Sequence, residues 1–168
     1  MNSTWIALAA FAVSLCSLLI SFDLWLRSFR PIVSLAVKTN RAVSGVTITY
    51  DLVIMNSGTL PARSIKLTAV EQSLAAALGA DASEDNKQRW LACFNQEILS
   101  LQNNDRTSCS FGTTEANDRG FWKYGATVSI NLTYRGWFGR SIYRESQTIQ
   151  ITDSESFTGY FWGPGKGA

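Results

Sequence analysis

The sequence predicts a mainly β protein. One apolar transmembrane helix is followed by an antiparallel β-sandwich with a short helical insertion. Three observations carry this reading. Residues 5–22 hold no charge, and 18 of the 22 residues in 5–26 are apolar. Apolar and polar residues alternate with a period of two along most of the remaining chain. Turn-forming residues separate these alternating runs. Apolar residues make up 46 % of the 168 and charged residues 17 %, the latter below the ~25 % common in soluble proteins.

The first element is the run WIALAAFAVSLCSLLISFDLWL over 5–26, preceded by a short N-terminus at 1–4. A helix needs roughly 20 apolar residues to cross ~30 Å of hydrocarbon, and this run suffices. A secretory signal would want a positive leader, a shorter apolar run and a small-x-small site. No Lys or Arg precedes Trp5, so a retained transmembrane helix is expected. Ala10, Ser14, Ser17 and Ser21 step by four, three and four, which keeps them on one face. Small residues on one face permit close helix packing in lipid, so this face is expected to meet partner helices. Asp23 precedes Arg27 by four residues, a favourable order for an interfacial ion pair. Trp5 and Trp25 fall where an aromatic belt forms.

All 15 Lys and Arg follow the helix, with Arg27, Arg30, Lys38 and Arg41 close behind it. The positive-inside rule then places the C-terminal part in the cytoplasm, as a single-pass protein of the inner (plasma) membrane. Two features point to the periplasmic side. Asn131-Leu132-Thr133 is a sequon, and Cys93 and Cys109 are candidates for a disulfide.

The second region, 27–152, is expected to be the sandwich. Val33, Leu35 and Val37 form a first strand after Pro31. Val46 to Ile54 alternate in a second, which the turn Asn56-Ser57-Gly58 ends. Ile65, Leu67 and Ala69 make a third. Residues 98–101 and 107–111 flank the turn Asn103-Asn104-Asp105. Val128, Ile130, Leu132 and Tyr134 alternate in another strand, and Ile149 and Ile151 close the series. One apolar and one polar face per strand is the pattern of packed antiparallel sheets. Seven or eight such strands fit an immunoglobulin-like sandwich.

Residues 71–95 break the alternation and read as a helical insertion. Ser73 is expected to cap a helix over 74–78 that Gly79 ends. Ser83 is expected to cap a second over about 84–94, with Trp90, Leu91 and Phe94 at helical spacing. Asp81, Glu84 and Asp85 read as a solvated loop face.

Chemistry is constrained by what is missing. With no histidine, Ser-His-Asp triads, Cys-His dyads and His-ligated metals are excluded. No Cys-x-x-Cys is present. No catalytic, cofactor-binding or metal-binding residue is therefore expected, and no cofactor. A net charge of +2, without a basic stripe interleaved with aromatics, argues against a nucleic-acid partner. Phe121-Trp122-Lys123-Tyr124 reads as packing.

What remains is adhesive. The tip Arg135-Gly136-Trp137-Phe138-Gly139-Arg140 puts two aromatics on a turn between arginines. Such a tip suits lipid headgroups or a partner pocket, together with Trp25, Arg27 and Arg30; folding back onto the sandwich is the alternative. The tail 153–168 holds Phe157, Tyr160, Phe161 and Trp162, which implies docking onto its own sheet or onto another subunit. Cys93 and Cys109, 16 residues apart, are either a disulfide or two buried thiols.

The run Asn56-Ser57-Gly58, then Ala62, Ile65 and Leu67, resembles the N-x-G-x-x-x-A-x-x-φ-x-φ signature of CARDB-like bacterial immunoglobulin-like domains. Leu101 with its following turn and strand resembles another edge of those folds, with Asn103-Asn104 where glycine is usual. The order of helix, Arg30-Pro31-Ile32-Val33 and one such domain is similar to uncharacterised bacterial single-pass membrane proteins. The resemblance implies fold and attachment, and maps no catalytic residue. The expected role is a non-catalytic accessory or scaffolding subunit whose partners are integral membrane subunits and the lipid bilayer. A membrane-anchored ligand-binding or sensing module, its ligand unspecified, is the alternative.

Overall fold

The computed structural model describes residues 2–41, 47–115, 118–136 and 141–152. The chain divides into two compact units, Met1–Arg30 and Pro31–Ala168.

The first unit is a single helix, α1 (Asn2–Ser28). Its segment Ser3–Trp25 is long and apolar enough to cross a membrane, with a mean hydropathy of 2.2 over its most apolar stretch.

The second unit is mainly β, as the alternation predicts. Its strands are β1 (Val33–Arg41), β2 (Ile48–Asn56), β3 (Ala62–Ala69), β4 (Glu97–Leu101), β5 (Arg106–Thr114), β6 (Thr127–Arg135) and β7 (Ile142–Gln150). They form two antiparallel sheets, ordered β1-β2-β5 and β4-β3-β6-β7. Along β6 the buried residues Val128, Ile130, Leu132 and Tyr134 alternate with outward positions. The period of two thus assigns one face to the core.

Tyr50, Leu52 and Ile54 from β2 meet Ile65 and Leu67 from β3 and the inner face of β6 in one buried cluster. Phe121 and Trp122, on the β5–β6 connection, are fully buried in it. Trp122 Nε1 donates to the Phe111 carbonyl at 2.9 Å, which satisfies the indole on burial. Gly112 sits beneath that indole with φ +142°, and a Cβ there would run into the ring. Only glycine meets both demands at once.

The insertion forms α2 (Glu71–Ala77), α3 (Glu84–Trp90) and a 3₁₀ turn over Ala92–Phe94. Ser83 caps α3 as expected, accepting from Asn86 N at 3.3 Å. Ser73 does not cap α2, whose N-cap is Val70. Ser73 lies inside the helix, where its hydroxyl donates to Val70 O and accepts from Ser129 N of β6. Gly79 does not end α2 either. The helix stops at Ala77, and Gly79 is required by its close approach to the Gly120 carbonyl.

Asn56 ends β2 and is fully buried. Its Oδ1 accepts from Ile32 N at 3.1 Å and from Gly58 N at 3.0 Å. Its Nδ2 donates to Leu60 O at 2.8 Å and to Leu101 O and Gln102 O at 3.2 Å. One amide thereby ties the start of the sandwich, the β2–β3 turn and the β4–β5 turn. Gln147 does similar work between β7 and β1. Its Oε1 accepts from Leu35 N and its Nε2 donates to Val33 O, both at 2.9 Å. A side-chain amide here occupies backbone groups on the outer edge of β1, which would otherwise invite another strand.

Candidate functional site

The outer face of the four-stranded sheet carries a groove of about 420 Å³, lined by Ser64, Lys66, Glu97, Thr133, Arg135, Ile142 and Arg144 among others. Register builds it. Lys66 is opposite Glu97 on β4 and Thr133 on β6, and Thr133 is opposite Arg144 on β7. One row of side chains so crosses all four strands. Arg135 and Ile142 pair in the next outward row.

The β3–β6 pairing shifts register between Arg63 and Lys66, and Ser64 within it adopts φ +50°. A non-glycine residue in that left-handed region is strained, and β-bulges of this kind re-aim side chains. Ser64 turns its hydroxyl to Glu97. Lys66 Nζ lies 3.1 Å from Glu97 Oε2. The Ser64 hydrogen bond, then Lys66, then the charge of Arg135 hold the Glu97 carboxyl below its ordinary value. Three cations face one paired carboxylate, with the exposed Ile142 beside them. The face is suited to hold an anionic group or an acidic partner surface.

Gly136 N donates to Ser141 O at 3.1 Å, which closes the base of the β6–β7 hairpin expected from the glycines. A Cβ on Gly136 would touch Pro31, so the hairpin base sits at the end where the chain enters the sandwich. Arg135 stands at the hairpin base and in the groove. Trp137, Phe138 and Arg140 lie outside the described residues, as do Phe157, Tyr160, Phe161 and Trp162 of the tail.

On α1, Ala10, Ser14, Ser17 and Ser21 are all exposed. The Ser17 hydroxyl donates to Val13 O at 2.9 Å, so its polarity is met within the helix. Trp25 is 52 % exposed and its ring lies 4.9 Å from that of Phe29. Arg30 is exposed. The Arg27 side chain, and with it the expected Asp23–Arg27 pair, lies outside what is described.

Cys93 and Cys109 are free thiols, not a disulfide, with Cys93 buried and Cys109 exposed. Among the described residues no group of three or more His, Cys, Asp or Glu is placed to hold a metal ion.

Sequence reasoning missed Ser64, Lys66, Glu97 and Arg144. Each occupies a polar position that the sequence pattern does not single out, and only the pairing register brings them together. Leu99, on the edge strand β4 and 80 % exposed, was equally silent.

The class defined by these features is a two-sheet β protein headed by one helix fit to cross a membrane. Residues 3–155 match the family described as Domain of unknown function (DUF8453), and the chain belongs to that family. The match spans the helix and the sandwich alike. No curated protein matches the chain.

Proposed function

We propose that this chain is a non-catalytic accessory or scaffolding subunit of a larger complex in a bacterial inner (plasma) membrane. Its helix sits among integral membrane subunits and its sandwich makes contacts outside the bilayer. The observation that carries the reading is α1 itself. Its candidate span has 23 residues, with a mean hydropathy of 2.2 over its most apolar stretch. Apolar surface of that length calls for lipid or partner helices. The small-residue face offers a packing surface for such helices.

Several features support contact through the sandwich. Its order, with β1-β2-β5 in one sheet and β4-β3-β6-β7 in the other, supports the immunoglobulin-like reading, with the fourth strand on the second sheet. That agrees with the CARDB-like resemblance and with a binding scaffold. The cationic groove and exposed Leu99 are adhesive surfaces. The basic residues following α1 support the cytoplasmic side for the sandwich, by the positive-inside rule.

The groove also favours a second reading, a membrane-anchored module that binds an anionic ligand on the sheet face. Purification of the full chain in mild detergent, with mass spectrometry of its companions, separates the two. Stoichiometric membrane partners, lost when Ala10, Ser14, Ser17 and Ser21 become Leu, are expected for a subunit. Recovery of the chain alone overturns that reading.

A further inference from the structure

The crossover between β3 and β4 closes an open flank of the sandwich. Its 3₁₀ turn, Ala92–Phe94, packs against both β3 and β5, strands of different sheets. Cys93 is the one buried residue of that turn. On β5, Cys109 is opposite Leu52, a fully buried core residue of β2. Directly opposed residues share a face, so Cys109 stands on the inner face of its sheet. It is nevertheless exposed, because β5 is an edge strand. The turn packs against β5, the strand that carries Cys109, and Cys109 is the neighbouring side chain that acts on the Cys93 thiol.

We propose that Cys93 and Cys109 form a redox couple that closes to an intramolecular disulfide, stapling the helical crossover to the edge of the first sheet. The inference is independent of which side of the membrane the sandwich occupies. The co-reactant is a small-molecule disulfide of the glutathione class. Exposed Cys109 attacks it as thiolate, forming a mixed disulfide and releasing one reduced thiol. Cys93 then attacks the Cys109 sulfur, releasing the second. Two protein thiols lose two electrons in total, and one disulfide oxidant is reduced to two thiols.

The two cysteines have unequal tasks. Burial pushes the Cys93 thiol up to about 12, and the neighbouring Cys109 adds to this. Cys93 is therefore a slow nucleophile near neutral pH, and the closing step sets the pace. The same property protects the product. A reductant can reach only Cys109, and Cys93 is then a poor leaving group. The staple forms slowly and persists.

The test uses the purified full-length chain in detergent, with Cys16→Ser to remove the third thiol. Oxidised glutathione is added, the reaction is acid-quenched, free thiols are alkylated and the chain is digested with trypsin. Cleavage after Arg89, Arg106 and Arg119 places Cys93 and Cys109 on different peptides. The expected product is those two peptides joined, accumulating about tenfold faster per pH unit between pH 7 and 9, as the Cys93 thiolate fraction rises. Cys93→Ser should stop at a glutathione adduct on Cys109, and Cys109→Ser should leave Cys93 unmodified over the same time. Circular dichroism confirms that each variant is folded, and the wild-type product needs no variant. A glutathione adduct on Cys109 of the wild type that does not convert to the linked peptides even at pH 9, linkage between two chains, or prior reaction at Cys93 overturns the proposal.

Discussion

Replacing Asn56 by alanine deletes one small side chain and strands five partners. The amides of Ile32 and Gly58 lose their acceptor, and the carbonyls of Leu60, Leu101 and Gln102 lose a donor. Donors left unsatisfied on burial cost about 1–3 kcal/mol each. Two such donors, plus under-satisfied carbonyls, put the loss at about 3–5 kcal/mol. For a domain of this size that is a drop in Tm of about 10–20 °C. The assay is thermal unfolding of the full chain in detergent, followed by the β-sheet signal in circular dichroism. Asn56→Asp sharpens the argument. It keeps an oxygen for Ile32 and Gly58 but turns a second oxygen toward three carbonyls. It should be at least as damaging at pH 7 and recover in part as acid protonates it. A shift below about 4 °C for Asn56→Ala, or a normal Asn56→Asp, would refute the hub.

Other consequences can be checked in the same protein. Gln147→Ala removes both bonds from β7 to β1, so the Leu35 amide should exchange faster with deuterium, and stability should fall by about 1–3 kcal/mol. Gly112→Ala places a Cβ against the Trp122 indole at φ +142°, and a loss of about 2–3 kcal/mol in denaturant unfolding is expected. Glu97 titrates below its ordinary value of 4.5. Its stabilising contribution is therefore present above that value and lost as pH falls through the lower folded one. The stability gap between wild type and Glu97→Gln should accordingly close in acid, and a gap that instead widens would contradict the assigned hydrogen bonds.

Where a strand has one wet face, the sequence is nearly a picture of it. Val128 to Tyr134 alternate in type and, in the fold, alternate in burial. Where both faces meet solvent, the pattern fades. Arg144, Glu145, Ser146 and Gln147 of β7 are polar throughout, and the strand was marked by Ile149 and Ile151 at its end. Asn56 was legible as a turn residue, since Asn-x-Gly is turn chemistry. Its grip on two further segments was not, because those partners lie up to 46 residues away. Ser73 shows the reverse error. A serine near a helix start suggests a cap, yet a β6 amide competes for its hydroxyl and wins. The groove was least legible, since Lys66, Glu97 and Arg144 become neighbours only through register.

The strand that Gln147 clamps is also the strand to which α1 is joined, through Phe29, Arg30 and Pro31. Any tension passed along the chain from the helix reaches β1 before anything else. Nine residue pairs join β1 to β2, with the Gln147 amide gripping the opposite edge and Asn56 holding Ile32 at the base. Bonds that share a force side by side must break together, whereas bonds met singly unzip in turn. The strand that meets the tether first is thus held along both of its edges and at its base.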